Sequence, residues 1–119
     1  MGTIYAVANQ KGGVGKTTTV INIAAYLGSR GLRVLCIDSD PQGNTTTGFG
    51  IKKKSVSSST YDVLTGKTRI QDAIIPTEYE NVSIVPATES LAGCEIELAG
   101  YENRVNRLKM QILSAKDQF

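Results

Sequence analysis

Apolar residues in the first forty positions of the chain follow two patterns, short continuous runs typical of strands and a spacing typical of a helix. Residues 3–8 form a short run of apolar and β-branched residues before a turn, which predicts a buried strand. Residues 16–29 carry apolar side chains at helical spacing, and Gly28 and Gly31 predict where that helix ends. Residues 33–38 are almost continuously apolar, as in a parallel strand covered on both faces. The order strand, loop, helix, strand therefore predicts two parallel strands joined by a right-handed crossover.

The remainder of the chain contains shorter apolar segments. Residues 44–50 predict a short helical turn and a loop, and residues 61–64 and 70–74 predict two short helices separated by Gly66. Residues 81–86 predict a third strand. These elements give an α/β fold with a parallel sheet flanked by helices, in one domain over residues 1–119.

Two further helices are predicted near the end of the sequence. The first covers residues 91–98, and the second runs from residue 102 to about residue 116. On the second helix Tyr101, Val105, Leu108 and Ile112 fall on one face, at a spacing typical of core packing.

Composition excludes several classes of function. Thirteen basic and eleven acidic residues give a net charge of +2, which argues against a dedicated basic nucleic-acid domain. The absence of histidine excludes histidine-based acid–base catalysis and histidine metal ligands. Two cysteines, Cys36 and Cys94, are too few for a disulfide or metal framework and favour a reducing cytoplasm. No apolar run reaches the roughly 20 residues that a membrane span needs, and no signal peptide is expected.

The loop between the first strand and the first helix has the chemistry of a phosphate-binding site. Residues 9–18 read Asn-Gln-Lys-Gly-Gly-Val-Gly-Lys-Thr-Thr. Glycines let backbone N–H groups converge on a phosphate, Lys16 supplies a charge, and a threonine hydroxyl can hold Mg²⁺. The ordinary P-loop pattern requires glycine where this chain has Gln10, and the sequence instead carries an additional lysine, Lys11. The alternative, a glycine-rich turn that binds nothing, is disfavoured by the strand before the loop and the helix after it.

Two carboxylates follow the second predicted strand. Asp38 and Asp40 stand at its carboxyl end, the edge at which open α/β sheets bind ligands. We expect both to face the phosphates, where a carboxylate can hold Mg²⁺ through water or orient an attacking water. The alternative is that both aspartates only cap the turn before Pro41.

Together these segments resemble a known family. The run KGGVGKTTT, followed by VLCIDSDPQGNTTTGFG, is similar to the ParA/Soj family of partitioning ATPases, which use a deviant Walker A motif. VSIVPAT and LAGCEIEL resemble the third strand of that family and the helix after it. The DPQGN segment favours this branch over MinD-like proteins, and the nitrogenase iron protein is less similar.

The resemblance implies a role for each residue of the motif. Lys16 matches the lysine on the β- and γ-phosphates, Thr17 the Mg²⁺ ligand, and Lys11 the lysine that reaches the phosphates of a partner subunit. Asp40 matches the residue that orients the hydrolytic water, and Asp38 a water-mediated Mg²⁺ contact. The implied phosphate-binding set is Lys11, Gly12, Gly13, Val14, Gly15, Lys16, Thr17 and Thr18.

The resemblance also implies partners. ATP binding would produce a homodimer, the dimer would bind DNA without sequence specificity, and a ParB-like activator would stimulate hydrolysis. Localisation would be cytoplasmic and associated with the nucleoid. Family members continue past the counterpart of Phe119 into the Walker B strand, the adenine pocket and the DNA-binding surface, so this sequence is expected to be an incomplete P-loop domain. Two alternatives stay open: a non-catalytic fragment that binds nucleotide weakly or contacts a full-length partner, and an ATPase that positions another cargo.

Overall fold

The computed structural model describes residues 14–40, 42–90, 107–115 and 119. Within them the predicted order of helices and strands is confirmed, except that an unpredicted two-residue strand follows the helix at residues 70–73. A short 3₁₀ turn also occupies Lys53–Ser55. Three predicted features lie outside the described residues: the strand at residues 3–8, the part of the loop before Val14, and the helix at residues 91–98. The first five residues of the helix predicted from residue 102 also lie outside them. The helices and strands are α1 (Val14–Ser29), β1 (Val34–Ile37), α2 (Asn44–Gly48), α3 (Thr60–Leu64), α4 (Ile70–Ala73), β2 (Ile75–Pro76), β3 (Val82–Val85) and α5 (Arg107–Ala115).

The described strands form a small sheet in the order β1-β3-β2. β1 and β3 are parallel, with Val34 opposite Val82 and Ile37 opposite Val85. β2 runs antiparallel to β3, so this part of the sheet is mixed and not wholly parallel as the sequence predicted. β2 has only two residues and one of them, Pro76, lacks an N–H group, which restricts it to a sheet edge. Because β1 and β3 are parallel, the residues that follow them lie at the same end of the sheet.

Two glycines determine where α1 ends and how closely it packs. Gly31 has a φ of 88°, and the bonds from its N–H to Gly28 O (3.0 Å) and from Leu32 N–H to Leu27 O (3.2 Å) form a Schellman motif. A side chain at Gly28 would collide with the backbone oxygen of Glu80. The predicted helix stop is therefore confirmed, and α1 ends against the turn that precedes β3.

The sheet is covered on both faces, as the near-continuous apolar run in β1 predicts. Alternate residues of the strands face opposite sides, so Cys36 and Ile84 join the cluster under α1 and α2. Val85 packs on the other side, with Leu35 and Ile37 at its margin. That second cluster is formed with α3, α4 and α5 and contains Val63, Ile70, Ala73 and Ala115, with Ile112 packed against it. Across the described residues, no helix is both long and apolar enough to span a bilayer.

Cys36 gives a test of this core. Burial and, to a smaller extent, the charge of Asp38 raise the pKa of its thiol from 9.0 to about 11. At neutral pH a fraction on the order of 10⁻⁴ is thiolate, so we expect iodoacetamide to label Cys36 far more slowly in the folded protein than in concentrated urea. Unfolding restores the ordinary pKa of the thiol. Its ionisation should therefore leave the free energy of unfolding unchanged below about pH 9 and should lower it as the pH rises toward 11.

Mass spectrometry of the peptide that contains Cys36 measures the labelling. The rate in the folded protein should increase with pH up to about 11. Equal labelling of folded and urea-unfolded protein at neutral pH would contradict the buried position of this strand.

Candidate nucleotide-binding site

The hydroxyl of Thr17 is the first unusual feature at the start of α1. Its Oγ1 atom is buried and has no hydrogen-bond partner among the residues that the structure describes. An unsatisfied buried hydroxyl costs about 1 to 3 kcal/mol, and a bound ion is one of the arrangements that satisfy such a group. A threonine oxygen is a suitable ligand for Mg²⁺. The residue that the sequence analysis assigned to the metal is therefore compatible with it.

The other residues of the predicted phosphate-binding loop are placed only in part. Lys11, Gly12 and Gly13 lie outside the described residues. The backbone of residues 14–16 forms the first turn of α1, which begins two residues earlier than the predicted start at residue 16. Thr18 is exposed.

Asp38 follows β1 directly and is almost completely buried, with 4% of its surface exposed. Its Oδ1 accepts the backbone N–H of Asp40 at 3.1 Å. Its Oδ2 accepts both the backbone N–H of Thr46 (2.9 Å) and the Thr46 hydroxyl (2.6 Å). The carboxylate thus caps the first turn of α2 from eight residues away. Three of its roughly four lone-pair positions are used within the protein.

Two buried threonines, which the sequence analysis did not single out, extend this network to β3. The Thr46 hydroxyl accepts the backbone N–H of Ala87 at 2.9 Å. The Thr60 hydroxyl donates to the backbone oxygen of Asp38 at 2.6 Å, and the Thr60 N–H donates to Pro86 O at 2.8 Å. The only sequence signal for Thr46 was a polar run, Asn-Thr-Thr-Thr, that begins six residues after the predicted strand at residues 33–38.

Asp40 is held more loosely than Asp38. It is half-buried, its Oδ1 accepts the backbone N–H of Gln42 at 3.0 Å, and its Oδ2 accepts the side-chain amide of Asn44 at a long 3.4 Å. Its backbone oxygen accepts the N–H of Gly43 at 2.8 Å, and Gly43 has a φ of 65°. Both aspartates therefore accept bonds within the turn, as the capping alternative requires. Only the Asp40 carboxylate keeps substantial access to water.

Comparison with known proteins identifies the family to which the chain belongs. A sequence-family model described as an AAA domain matches residues 2–119. The sporulation initiation inhibitor protein Soj of Bacillus subtilis is 48% identical over 119 residues, which is 100% of this chain and 47% of that protein. The chromosome partitioning protein ParA of Myxococcus xanthus is 47% identical over 92% of this chain and 38% of its own length. The chain belongs to the ParA/Soj family of P-loop ATPases.

A solved structure shares the fold of this ParA/Soj chain. It is a cobyrinic acid a,c-diamide synthase from Mycobacterium smegmatis with bound ATP analog and magnesium. The TM-score is 0.89 at 38% sequence identity, and the match covers 94% of this chain and 46% of that one. The chain therefore spans about half the length of the relatives that it matches.

A cavity elsewhere on the ParA/Soj chain does not coincide with these residues. It has a volume of about 630 Å³ and is lined by Arg33, residues 76–83 and Phe119. This places it where β1 and β3 begin, at the end of the sheet opposite Asp38. Ligands of open α/β sheets bind at the carboxyl ends of the strands. The cavity therefore lies away from the end of the sheet that carries Thr17, Asp38 and Asp40.

Replacement of Asp38 by asparagine tests the buried network. The side-chain amide of asparagine would face either the Asp40 N–H or the two donors of Thr46, and each of these is itself a donor. We expect the free energy of unfolding, measured with urea and circular dichroism, to fall by about 1 to 3 kcal/mol. Asp72→Asn is the control, because its carboxylate forms an exposed ion pair with Arg69 and should change stability by less than about 0.5 kcal/mol. Equal stability of the two variants would contradict the network.

Proposed function

We propose that this chain binds ATP with Mg²⁺ and supplies the phosphate-side residues of a ParA/Soj-type ATPase. The observation that carries the proposal is the hydroxyl of Thr17, the last residue of the K-G-G-x-G-K-T motif, which is buried in the first turns of α1 and has no hydrogen-bond partner in the part of the chain that the structure describes. Membership of the ParA/Soj family and the nucleotide in the similar solved structure support it.

Each residue would have a distinct task. Lys16 and the backbone N–H groups of the loop hold the β- and γ-phosphates, and Lys11 adds positive charge at the phosphates of a second subunit. Thr17 would hold Mg²⁺, which neutralises phosphate charge when it is bound. Asp40 accepts a hydrogen bond from the attacking water and directs its lone pair toward the γ-phosphorus. Asp38 keeps one Oδ1 position for a water-mediated metal contact while it fixes the turn that carries Asp40.

The wider proposal concerns partners. An ATP-dependent homodimer follows from the role of Lys11, since that lysine would complete the site of another subunit. A role in chromosome partitioning is supported by the name of the Myxococcus xanthus relative. With that role we propose a ParB-like activator, non-specific DNA as a partner, and a cytoplasmic, nucleoid-associated location. The net charge of +2 suggests that other parts of such an assembly contribute most of the DNA contact.

A second candidate is a nucleotide-binding chain without turnover. The observation that favours it is the match to only about half of each relative, because the remaining half of those proteins can carry residues that hydrolysis needs. A third candidate retains hydrolysis and changes the cargo from DNA to another cellular structure.

Titration of the purified protein with a fluorescent ATP analogue, followed by measurement of phosphate release with and without Mg²⁺, separates the first two candidates. We expect Mg²⁺-dependent binding and slow release of phosphate. The release should depend on Lys11 and fall in Lys11→Ala, because that substitution removes the charge given to the second subunit. Binding without phosphate release would support the second candidate. Absence of binding at millimolar nucleotide would contradict the proposed function.

A further inference from the structure

Helix α2 contacts both parts of the proposed site. At its first residue, the Asn44 side chain donates to the Asp40 carboxylate at 3.4 Å. At its last residue, Gly48 lies against the side chains of Thr17 and Ile21 on α1. A helix of five residues is about 7.5 Å long, so one short rigid element touches the residue proposed for the metal and the residue proposed for the water.

The contact at Gly48 constrains the Thr17 side chain directly. A Cβ atom at Gly48 would lie 3.2 Å from Thr17 Cγ2 and 2.5 Å from Ile21 Cδ1. The Ile21 methyl is the end of a side chain and can rotate away. Thr17 cannot yield in the same way, because Cγ2 and Oγ1 are attached to the same Cβ and any rotation that moves the methyl also moves the hydroxyl. Because Gly48 has no side chain, the Thr17 methyl can lie in the space beside it.

The position of α2 is fixed at its centre by Thr46, which is completely buried. The Thr46 hydroxyl donates to Asp38 Oδ2 at 2.6 Å and accepts the Ala87 N–H at 2.9 Å. These bonds attach α2 to the ends of β1 and β3. The helix cannot move away from Thr17 without breaking buried hydrogen bonds.

We propose that Gly48 is a positioning residue for Mg²⁺: it sets the rotamer of Thr17, and Thr46 holds α2 in the place from which Gly48 acts. This inference rests on the proposed function, since it assigns the Mg²⁺ of that site to the Thr17 hydroxyl. It adds that the affinity for the metal is controlled from α2, by residues outside the phosphate-binding motif.

Gly48→Ala tests the inference through metal affinity. Titration of Mg²⁺ into the protein with a bound fluorescent ATP analogue should show a metal affinity about 10-fold weaker than in the wild-type protein, the lower range for residues that orient a metal ligand. Binding of the analogue in EDTA should change less than twofold, because the phosphate-binding loop is untouched. Gly50→Ala is the matched control: its φ of 81° makes alanine unfavourable there, but no atom lies within 4 Å of the added Cβ, so metal affinity should not change.

A double variant separates positioning from general loss of structure. Serine at position 17 keeps the hydroxyl and lacks the methyl that Gly48 accommodates. In the Thr17→Ser background, Gly48→Ala should therefore cost less than twofold in Mg²⁺ affinity. A full 10-fold loss in that background would overturn the inference, and so would wild-type Mg²⁺ affinity in Gly48→Ala alone.

Thr46 gives a second measurement that does not depend on the folding of Gly48→Ala. Thr46→Val keeps the shape of the side chain and removes the hydroxyl, so we expect weaker Mg²⁺ binding with unchanged binding of the analogue in EDTA. Thr46→Ser should restore metal affinity. Unchanged metal affinity in Thr46→Val would overturn the anchoring role. If the wild-type protein binds the analogue equally with and without Mg²⁺, the proposed function fails first and this inference fails with it.

Discussion

Lys16→Ala should remove ATP binding, with the dissociation constant raised at least about 100-fold, or about 3 kcal/mol. In the proposed role the lysine supplies charge-assisted hydrogen bonds to the β- and γ-phosphates, which alanine cannot form. A fluorescent ATP analogue measures the loss. Circular dichroism should show the same helix content as the wild-type protein.

Lys54→Ala is the control for Lys16, because Lys54 is exposed and its removal changes net charge by the same amount. Its dissociation constant should stay within twofold of the wild-type value. Equal weakening by the two substitutions would mean that the sequence attracts nucleotide only through overall charge and would contradict a specific phosphate site.

Asp40→Ala has the second large expected effect, and it concerns turnover instead of binding. Among the described residues the half-buried carboxylate accepts the Gln42 N–H at 3.0 Å and the Asn44 amide at only 3.4 Å, so further oxygen positions can receive a water. Loss of a group that positions or deprotonates the attacking water lowers a rate by about 10²- to 10⁴-fold. We expect the rate of phosphate release to fall by that factor while the affinity for the ATP analogue stays within about threefold.

Asp40→Asn distinguishes chemistry from structure, because an asparagine oxygen can still accept the bond from Gln42 and preserve the turn. It should lose turnover as Asp40→Ala does, and its stability should stay closer to wild type. Asp72→Ala serves as an exposed acidic control. Wild-type rates of phosphate release in Asp40→Ala would remove the assigned role.

Local signals in the sequence predicted most of the described fold. The glycines at 28 and 31 marked the end of α1, and the apolar run at residues 33–38 indicated a strand covered on both faces, which β1 confirms. The antiparallel strand β2 was missed because two residues carry no periodicity, and because Ile75 and Pro76 follow a helical segment without a turn signal.

The site was predictable where a motif is contiguous and unpredictable where partners are distant in sequence. Thr17 stood in a recognisable pattern, and its assignment to Mg²⁺ stays a prediction that its buried hydroxyl, without a partner among the described residues, supports. The position of Asp38 at the end of β1 was predicted, but the bonds from Thr46 on α2 to its carboxylate were not. That arrangement depends on Thr46 also meeting Ala87, 41 residues away, and no local pattern encodes such a contact. In the sequence Gly48 indicated only a turn. Its proposed role depends on its packing against Thr17, which the structure shows.

The most direct test of the central claim is the location of nucleotide binding. Two-dimensional amide NMR of the ¹⁵N-labelled protein, titrated with a non-hydrolysable ATP analogue and Mg²⁺, reports each backbone N–H separately. We expect the largest shifts at residues 11–18 and at Asp40, with smaller shifts along α2. Shifts confined to residues 76–83, which line the cavity at the opposite end of the sheet, would contradict the account.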